Sequence, residues 1–486
     1  MINFAHFNFQ RVSRVTTAPL NPHFLAHIET IMPEHLSMDE FVDYCQRPLR
    51  KAIRVNTLKI SVDDFIERMS ERGWQLAPVP WCDCGFWLSG EDQTQSIANL
   101  PEHLSGLFYI QEASSMMPPS ALFKDLPEVE RLLDVASAPG SKTTQIAALM
   151  NNQGVLVANE YSASRIKGLY GNLQRLGIKN TVLTNFDGHV FGHYMYECFD
   201  AIQLDAPCGG EGTIRKDKSA LDNWGQAHID AIAQVQKGLM LSAFRALKVG
   251  GEMVYSTCTL NHQENQEVCA YLKDTFGEAV EFVSLSGLFE GCEKALTPEG
   301  FLHIWPQIFD SEGFFVARIR KTASVPESDE TTRPIGKLPF KPASRKQVQL
   351  ISQYFSQQFG IDLAGQGVIY IREQEFWLFP EAFEPLIGKV RFGRIGIRLA
   401  DQLKKGFKTH HDAVMALAKP NELSAQVNAE GAKTYLMGRD VPIDTTLPPG
   451  ECIVVFEDQV LGLAKPVAKR LKNNLPRELV RDRISN

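Results

Sequence analysis

The chain has 486 residues, of which 44% are hydrophobic and 22% are charged, and its formal net charge is −7. This composition excludes a wholly disordered chain, and the charge excludes a protein that attracts nucleic acid through an overall positive field. No apolar run approaches the roughly 18–20 residues of a helical membrane span, and the length is sufficient for two or three domains.

The amino-terminal segment and the cysteines indicate a cytoplasmic protein. The first residues, MINFAHFNFQRVSR, lack the basic segment and the continuous apolar core of a secretory signal. Nine cysteines without framework spacing do not fit a disulfide scaffold. Cys82 and Cys84 are spaced too tightly for a usual zinc site, and no second pair follows. We therefore expect a cytoplasmic protein without a metal centre.

The chain divides into four regions by pattern. Residues 1–105 mix helical stretches (SVDDFIERMSERG) with strand stretches (AIRVNTLKI), which predicts a small α/β module. Residues 106–321 alternate apolar strands with amphipathic helices, which predicts a doubly wound, Rossmann-like α/β sheet closed by the antiparallel strand GFFVARIRK. Residues 322–344 are polar and contain prolines, as linkers do, and 345–486 hold short strands typical of a β-rich module.

The carboxyl ends of the predicted strands carry the candidate binding residues, because ligands of open α/β sheets lie at that edge. The first strand leads into DVASAPGSKT, which has neither the phosphate-binding pattern GxxxxGK[ST] nor the dinucleotide pattern GxGxxG. The second strand ends at Glu160, which can accept both hydroxyls of a ribose, and the third at Asp187, which can accept from an adenine amine. These features predict a nucleoside ligand without a pyrophosphate, and S-adenosylmethionine meets that description.

Each of these acids has a structural alternative. A carboxylate that closes a strand is often the N-cap of the next helix, and for any single acid the cap is the more frequent role. Three acids at successive strand ends favour the ligand.

Cys208 and Cys258 also end predicted strands at this edge, the first within QLDAPCGGEG. A thiolate is a strong, soft nucleophile. Cytosine C5 becomes nucleophilic enough to take a methyl group when a thiolate adds to C6, and Asp205 is placed to stabilise the charge that develops on the base. One thiol would add and the other would assist elimination, and the spacing alone does not say which one attacks.

Five segments carry a resemblance to a known family: RVNTLK (54–59), QEASSMMP (111–118), DVASAPGSKT (134–143), DAPCGGEGTIRKD (205–217) and YSTCTLNHQEN (255–265). With these motifs in this order, the chain resembles the RNA cytosine-5 methyltransferases of the NOL1/NOP2/Sun family. Two C-terminal segments resemble a PUA-like RNA-binding module: RIGIRLADQLKKGFKTHHDAVMALA and GLAKPVAKRLKNNLPREL. The resemblance implies an S-adenosylmethionine-dependent methyltransferase core over 106–321, an RNA-binding module over 1–105 and a PUA-like RNA-binding region over 345–486.

The resemblance also implies residue roles. Glu160 would hold the ribose, Asp187 the adenine end, and Asp205 both the cofactor edge and the target base. In this RNA family the cysteine after threonine attacks, so Cys258 would form the adduct with C6 and Cys208 would assist release. Gly209 departs from the family, whose commonest form has serine there. The cofactor loop would comprise Ala136, Ser137, Ala138, Pro139, Gly140, Ser141 and Lys142.

The implied substrate is C5 of a specific cytosine in 16S ribosomal RNA, within the assembled 30S subunit, and we expect the enzyme to be a monomer. Basic residues are candidate RNA contacts, since local cationic patches bind phosphates; for the tail after Leu463 the alternative is a solvated helix face. Those candidates are Arg215 and Lys216 beside the active-site turn, and Lys404, Lys405, Lys465, Lys469 and Arg470 in the C-terminal region.

Two other functions compete with this interpretation. One is a ribosome-assembly factor that binds RNA without catalysis, but such a factor has no need for two thiols at strand ends. The other is a nucleotide-dependent oxidoreductase, which the missing glycine pattern disfavours.

Overall fold

The computed structural model describes residues 20–90, 96–222, 224–328, 338–444, 447–482 and 484. The amino-terminal segment MINFAHFNFQRVSR and residues 329–337 of the predicted linker lie outside these ranges. The described residues form four β-sheets. No helix within the described ranges is long and apolar enough to cross a membrane.

The first sheet belongs to an N-terminal module. Its strands are antiparallel in the order β2-β3-β1-β4. Serine hydroxyls begin two of its helices, because Ser37 and Ser61 accept hydrogen bonds from the backbone N–H groups of Glu40 and Asp64. The elements are α1 (Pro22–Ile31), α2 (Met38–Gln46), β1 (Ala52–Val55), α3 (Val62–Glu71), β2 (Trp74–Val79), β3 (Cys82–Gly90), α4 (Pro101–Leu104) and β4 (Phe108–Ile110).

The second sheet is the centre of the molecule, and strands and helices alternate along its chain. The elements are α5 (Met117–Phe123), β5 (Arg131–Asp134), α6 (Ser141–Leu149), β6 (Val155–Asn159), α7 (Ala163–Leu176), β7 (Thr181–Thr184), α8 (Phe191–Tyr194), β8 (Phe199–Asp205), α9 (Gln226–Ala246), β9 (Leu247–Thr257), α10 (Gln266–Phe276), β10 (Val280–Val283), β11 (Leu302–Ile304), α11 (Pro306–Phe309) and β12 (Phe314–Lys321).

The central sheet has the strand order β10-β12-β9-β8-β5-β6-β7. β5 is parallel to both β6 and β8, so the direction of winding reverses beside it. β12 runs antiparallel against β9, as the sequence predicts for GFFVARIRK. In such sheets the ligand crevice opens where the winding reverses, at the carboxyl ends of β5 and β8.

The central strands are buried on both faces, as parallel strands covered by helices must be. Leu133, Ile202 and Met253 contribute to one core cluster, which includes α8 and α9. Their chain neighbours Leu132 and Val254 contribute to the opposite cluster, with α5 and α6. This alternation explains why the predicted strands are apolar throughout.

The C-terminal region contains two further sheets, in the orders β13-β14-β15-β17-β18 and β19-β21-β22-β23-β20. The elements are β13 (Lys341–Pro342), α12 (Arg345–Phe359), β14 (Val368–Arg372), β15 (Glu375–Phe379), β16 (Arg394–Ile395), β17 (Ile397–Gln402), β18 (Phe407–Thr409), α13 (His411–Leu417), β19 (Ala425–Gln426), α14 (Ala429–Leu436), β20 (Val441–Pro442), β21 (Cys452–Phe456), β22 (Gln459–Val467) and β23 (Arg470–Asn473).

A short C-terminal strand completes the central sheet. β16 pairs antiparallel with β7, with Arg394 opposite Leu183 and Ile395 opposite Val182. Backbone hydrogen bonds from Gly393 to Leu183 (2.8 Å) and from Gly396 to Thr181 (3.0 Å) extend the pairing. The C-terminal region is therefore joined to the central core through the sheet itself.

The fold class predicted from the sequence is confirmed: a Rossmann-like α/β core lies between a small N-terminal module and a β-rich C-terminal region. The basic tail after Leu463 is a strand pair, β22 and β23, rather than the face of a helix. The α12 helix was not predicted, although its start has a full capping box of Ser344 and Gln347.

Asn56 ties the N-terminal module to the core. Its buried amide donates to the carbonyls of Gly106 (2.8 Å) and Leu176 (2.9 Å). We expect Asn56→Ala to lower the free energy of unfolding by about 1–3 kcal/mol, because two buried acceptors lose their donor. Chemical denaturation followed by circular dichroism measures this change. The control Gln75→Ala, at an exposed position of β2, should shift it by less than about 0.5 kcal/mol, and equal effects would contradict the role of Asn56.

Candidate functional site

The loop from β5 to α6 is fixed against β6. Ser137 donates to the carbonyl of Asn159 through both its backbone N–H (2.8 Å) and its hydroxyl (2.6 Å). Asp134, at the end of β5, accepts from the Thr143 hydroxyl at 2.7 Å, and burial raises the pKa of this carboxyl group to about 7. Gly140, at φ 104°, turns the chain into α6. The predicted cofactor loop is thus a rigid surface in the crevice.

Glu160 follows β6, and its carboxylate faces this loop. It accepts from the backbone N–H groups of Ala138 (3.2 Å) and Ser162 (2.8 Å), and Arg165 lies 3.4 Å away. A carboxylate has about four acceptor sites. The remaining ones suit two hydroxyls of a ribose, so the residues present fit the nucleoside part of S-adenosylmethionine.

Asp187 lies near the end of β7, and its side chain is 54% exposed. It caps a short 3-10 helix by accepting from the backbone N–H of His189 at 3.0 Å. The cap that the sequence allows is therefore present, and the exposed carboxylate retains acceptor sites for an adenine amine.

Asp205, at the end of β8, is paired with Lys142 from the start of α6. The Lys142 Nζ atom lies 2.8 Å from Asp205 Oδ2 and donates to the Ser115 hydroxyl at 3.0 Å. The Ser256 hydroxyl, from β9, donates to Asp205 Oδ1 at 2.7 Å. Burial acts to lower the pKa of Lys142, but the charge and hydrogen bond of Asp205 raise it overall. This ion pair joins the start of α6 to the end of β8, and the Ser256 hydroxyl connects it to β9.

Cys208 and Cys258 come together beside this pair. Their sulfur atoms are 3.1 Å apart, both thiols are free, and both residues are partly exposed. The backbone N–H of Cys258 also donates to the Cys208 sulfur at 3.3 Å. The hydrogen bond with Cys258, together with burial, raises the pKa of Cys208 well above its ordinary value. Cys208 therefore keeps its proton and can donate it to its neighbour.

Buried carboxylates shape the two cysteine loops. Glu211 accepts from the Thr259 hydroxyl (2.8 Å) and from the backbone N–H groups of Leu260 (3.0 Å) and Asn261 (2.9 Å), which fixes the turn after Cys258. The backbone N–H of Gly209 donates to Glu264 at 2.8 Å. A Cβ atom at Gly209 would lie 2.7 Å from Glu264 Oε1. A larger residue at this position would require the Glu264 carboxylate to move.

One predicted RNA contact requires correction. The Arg215 side chain is 1% exposed and bound to Asp310 (2.7 Å) and to the carbonyls of Pro48 (2.9 Å) and Ser311 (3.1 Å). It connects the active-site turn to the N-terminal module, and its position in the interior does not allow it to contact a phosphate. Its neighbour Lys216 is exposed.

The C-terminal candidates are all exposed but form separate groups. Lys404 and Lys405 lie in the turn between β17 and β18. The β22–β23 pair and its turn carry Lys465, Lys469 and Arg470.

Four family models match consecutive parts of the chain. Residues 20–113 match the N-terminal domain of 16S rRNA methyltransferase RsmF, and residues 121–320 match 16S rRNA methyltransferase RsmB/F. Residues 340–417 match the pre-PUA domain of ribosomal RNA small subunit methyltransferase F, and residues 422–481 match the methyltransferase RsmF PUA domain.

Curated relatives extend the match over nearly the whole chain. Ribosomal RNA small subunit methyltransferase F of Shewanella loihica is 57% identical over 469 residues, which cover 96% of each chain. The protein of the same name from Shewanella oneidensis is 56% identical over 466 residues, covering 96% of this chain and 98% of its own. The chain belongs to the 16S rRNA methyltransferase RsmB/F family. The predicted family and its cofactor, S-adenosylmethionine, are confirmed.

Solved structures of other proteins have the same core fold as this chain. A methyltransferase homolog protein from Pyrococcus horikoshii is 35% identical, with a TM-score of 0.50, and covers 62% of this chain and 100% of its own. NSun6 from Pyrococcus horikoshii, solved with SFG, is 22% identical with a TM-score of 0.54, covers 63% of this chain and 99% of its own, and shows the same fold.

The sequence of this methyltransferase did not predict a close pair of acids, Glu112 and Glu312. The backbone N–H of Glu312 donates to Glu112 Oε1 at 3.3 Å, and Glu112 also accepts from the backbone N–H of Ser115, the partner of Lys142. Burial and the nearby charge of Glu112 raise the pKa of Glu312 to about 8. Glu112 lies within the motif QEASSMMP, but Glu312 is 200 residues away, so no local pattern could reveal the pair.

The raised pKa predicts a dependence of stability on pH. Glu312 holds its proton in the folded enzyme up to about pH 8, whereas the unfolded chain releases it near the ordinary value of 4.5. The folded state therefore loses stability as the pH rises between these values, by about 1.4 kcal/mol per unit of pKa shift. We expect Glu312→Gln to remove this loss, so its melting temperature relative to wild type should rise between pH 6 and pH 8.

Differential scanning calorimetry at the two pH values measures the effect. Glu67→Gln, at an exposed position of α3, is the matched control and should show no such rise. A Glu312→Gln offset that stays constant with pH would contradict the assignment.

Proposed function

We propose that this enzyme methylates C5 of a specific cytosine in 16S ribosomal RNA, through a covalent bond between Cys258 and C6 and release assisted by Cys208. The observation that carries the proposal is the meeting of two free thiols, with sulfur atoms 3.1 Å apart, beside the Asp205–Lys142 pair. A methyltransferase acting on a harder nucleophile, such as a hydroxyl or an amine, does not require two thiols.

The reaction begins with attack of the Cys258 thiolate on C6 of the base. The S–C6 bond forms while the electrons of the C5–C6 double bond move to C5 and N3. The Asp205–Lys142 pair donates one proton to N3, which neutralises the negative charge that spreads over the ring, and recovers that proton on elimination. S-adenosylmethionine supplies the methyl group as the electrophile at C5. A base then removes the C5 proton, the double bond re-forms and the S–C6 bond breaks. A proton from Cys208 can return to the departing Cys258 sulfur.

The state of Cys208 supports this division of roles. Its pKa is raised by the hydrogen bond with Cys258 and by burial, so it stays protonated and is a poor nucleophile. The target base must leave its stack to reach these groups.

The substrate context completes the proposal. We assign RNA binding to residues 1–105 and to 345–486, catalysis to 106–321, and the linker to 322–344. The proposed phosphate contacts are exposed cations: Lys216 beside the active-site turn, and Lys404, Lys405, Lys465, Lys469 and Arg470 in the C-terminal region. We propose that the enzyme acts as a monomer, in the cytoplasm, on the assembled 30S subunit.

The two cysteine roles predict opposite outcomes. With small ribosomal subunits from cells lacking this protein and labelled S-adenosylmethionine, Cys258→Ala should transfer no methyl group and form no RNA adduct, because the attacking sulfur is absent. Cys208→Ala should accumulate a protein–RNA adduct on denaturing gels, because release fails. Cys198→Ala, outside the site, is the control. Reversed outcomes would exchange the roles, and a wild-type enzyme without methyl transfer would favour the assembly-factor alternative.

Asp205 should matter for rate more than for folding. Asp205→Asn keeps the shape but removes the charge that pairs with Lys142. We expect kcat to fall by about 10²–10³-fold, the usual effect of removing one group that stabilises charge in a transition state. Single-turnover methyl transfer measures the change, and circular dichroism checks that the variant is folded. A loss below tenfold would contradict a direct role for this carboxylate.

A further inference from the structure

A cavity of about 700 Å³ lies where the catalytic core meets the C-terminal region. Its walls come from the first half of α7, from the carboxyl end of β7 and from the segment between β15 and α13. The predicted cofactor loop, Glu160 and Asp187 are not among its lining residues. Its volume is in the range of about 300–1,000 Å³ that small-ligand sites have.

The lining of this cavity is cationic. Its lining includes four basic side chains and one carboxylate: Lys167, Arg391, Arg394 and Arg398, and Asp412. Lys167 and Arg391 are exposed, and neither side chain has a hydrogen bond or ion pair with any residue that the structure describes. Two free cations at one cavity favour an anionic ligand.

The other two arginines are held in place by acids. Arg398 is paired with Glu375 at 2.8 Å, and Arg394 with Asp412 at 2.7 Å. The Nη1 nitrogen of Arg394 is nevertheless buried without an acceptor among the described residues. The charges of these two arginines are thus already balanced, and the free charges of the cavity are those of Lys167 and Arg391.

Three aromatic side chains also line the cavity. Tyr170, Phe186 and Trp377 line the cavity, and the Arg394 guanidinium lies over the Tyr170 ring at 4.2 Å. Proteins bind single-stranded RNA by stacking its bases on aromatic rings and arginine planes, while cations hold the phosphates. The combination of free cations and stacking surfaces therefore fits a nucleotide.

The position of the cavity suits the same RNA. It opens at the carboxyl end of β7, the edge of the sheet at which Cys258 follows β9. Four strand spacings separate β9 from β7, which is about 19 Å at 4.8 Å each. An RNA strand that has its target base at Cys258 and reaches the cavity must pass outside the proposed cofactor-binding residues at the ends of β5, β6 and β7.

We propose that this cavity binds one unpaired nucleotide of the ribosomal RNA near the target cytosine, with its phosphate on Lys167 and Arg391 and its base against the aromatic wall. The inference rests on the proposed function, because it specifies how the same RNA is held during methylation.

The test uses the full-length double variant Lys167→Ala/Arg391→Ala and, as matched control, Arg345→Ala/Lys346→Ala. The control removes the same charge from exposed residues at the start of α12. The probe is the small ribosomal subunit from cells lacking this protein. We expect the cavity variant to raise KM for the subunit about tenfold or more, with little change in kcat and none in S-adenosylmethionine affinity.

The salt dependence of binding identifies the phosphate contact. Each lost contact to single-stranded RNA should reduce the slope of log K against log salt by about 0.7, and the control should keep the wild-type slope. A cavity variant that matches the control in KM and slope overturns the proposal, as does a KM change with an unaltered slope. Failure of the C5 reaction itself would appear instead as a wild-type enzyme that binds subunits without methylating cytosine.

Discussion

The ion pair between Lys142 and Asp205 is the interaction on which the site depends. Removing two charges from water costs free energy that only good geometry offsets, and here the Ser115 and Ser256 hydroxyls complete the hydrogen bonds. The pair links the loop after β5, the end of β8 and the end of β9, so that these elements and the two thiols share one frame. A shift of any of these elements would leave a buried charge without its partner, which makes the frame rigid.

Much of this arrangement could be predicted because it follows from strand order. In a parallel sheet all carboxyl ends meet at one edge, so the residues after each apolar run of the sequence had to converge. That rule alone predicts that Asp205, Cys208 and Cys258 lie close together. The choice of Cys258 as nucleophile came from the family resemblance, since strand order treats the two thiols alike.

What the sequence could not reveal are contacts between distant segments of the chain. Arg215 looks like an exposed basic residue beside the active-site turn, yet the carbonyls of Pro48 and Ser311 bind it in the interior. Glu112 and Glu312 meet only because the N-terminal module folds over the loop before β12. The two residues of β16 are too short a strand for a periodic pattern, and their place beside β7 depends on the whole C-terminal region.

That short strand has a consequence for how separable the regions are. Without β16, the backbone groups of Thr181 and Leu183 on β7 would form an open edge next to the apolar Val182 side chain. Exposed edges of this kind recruit strands from other molecules. The catalytic core is therefore not a free-standing unit: an isolated core would tend to self-associate, and the C-terminal region that supplies β16 covers the edge through which it would do so.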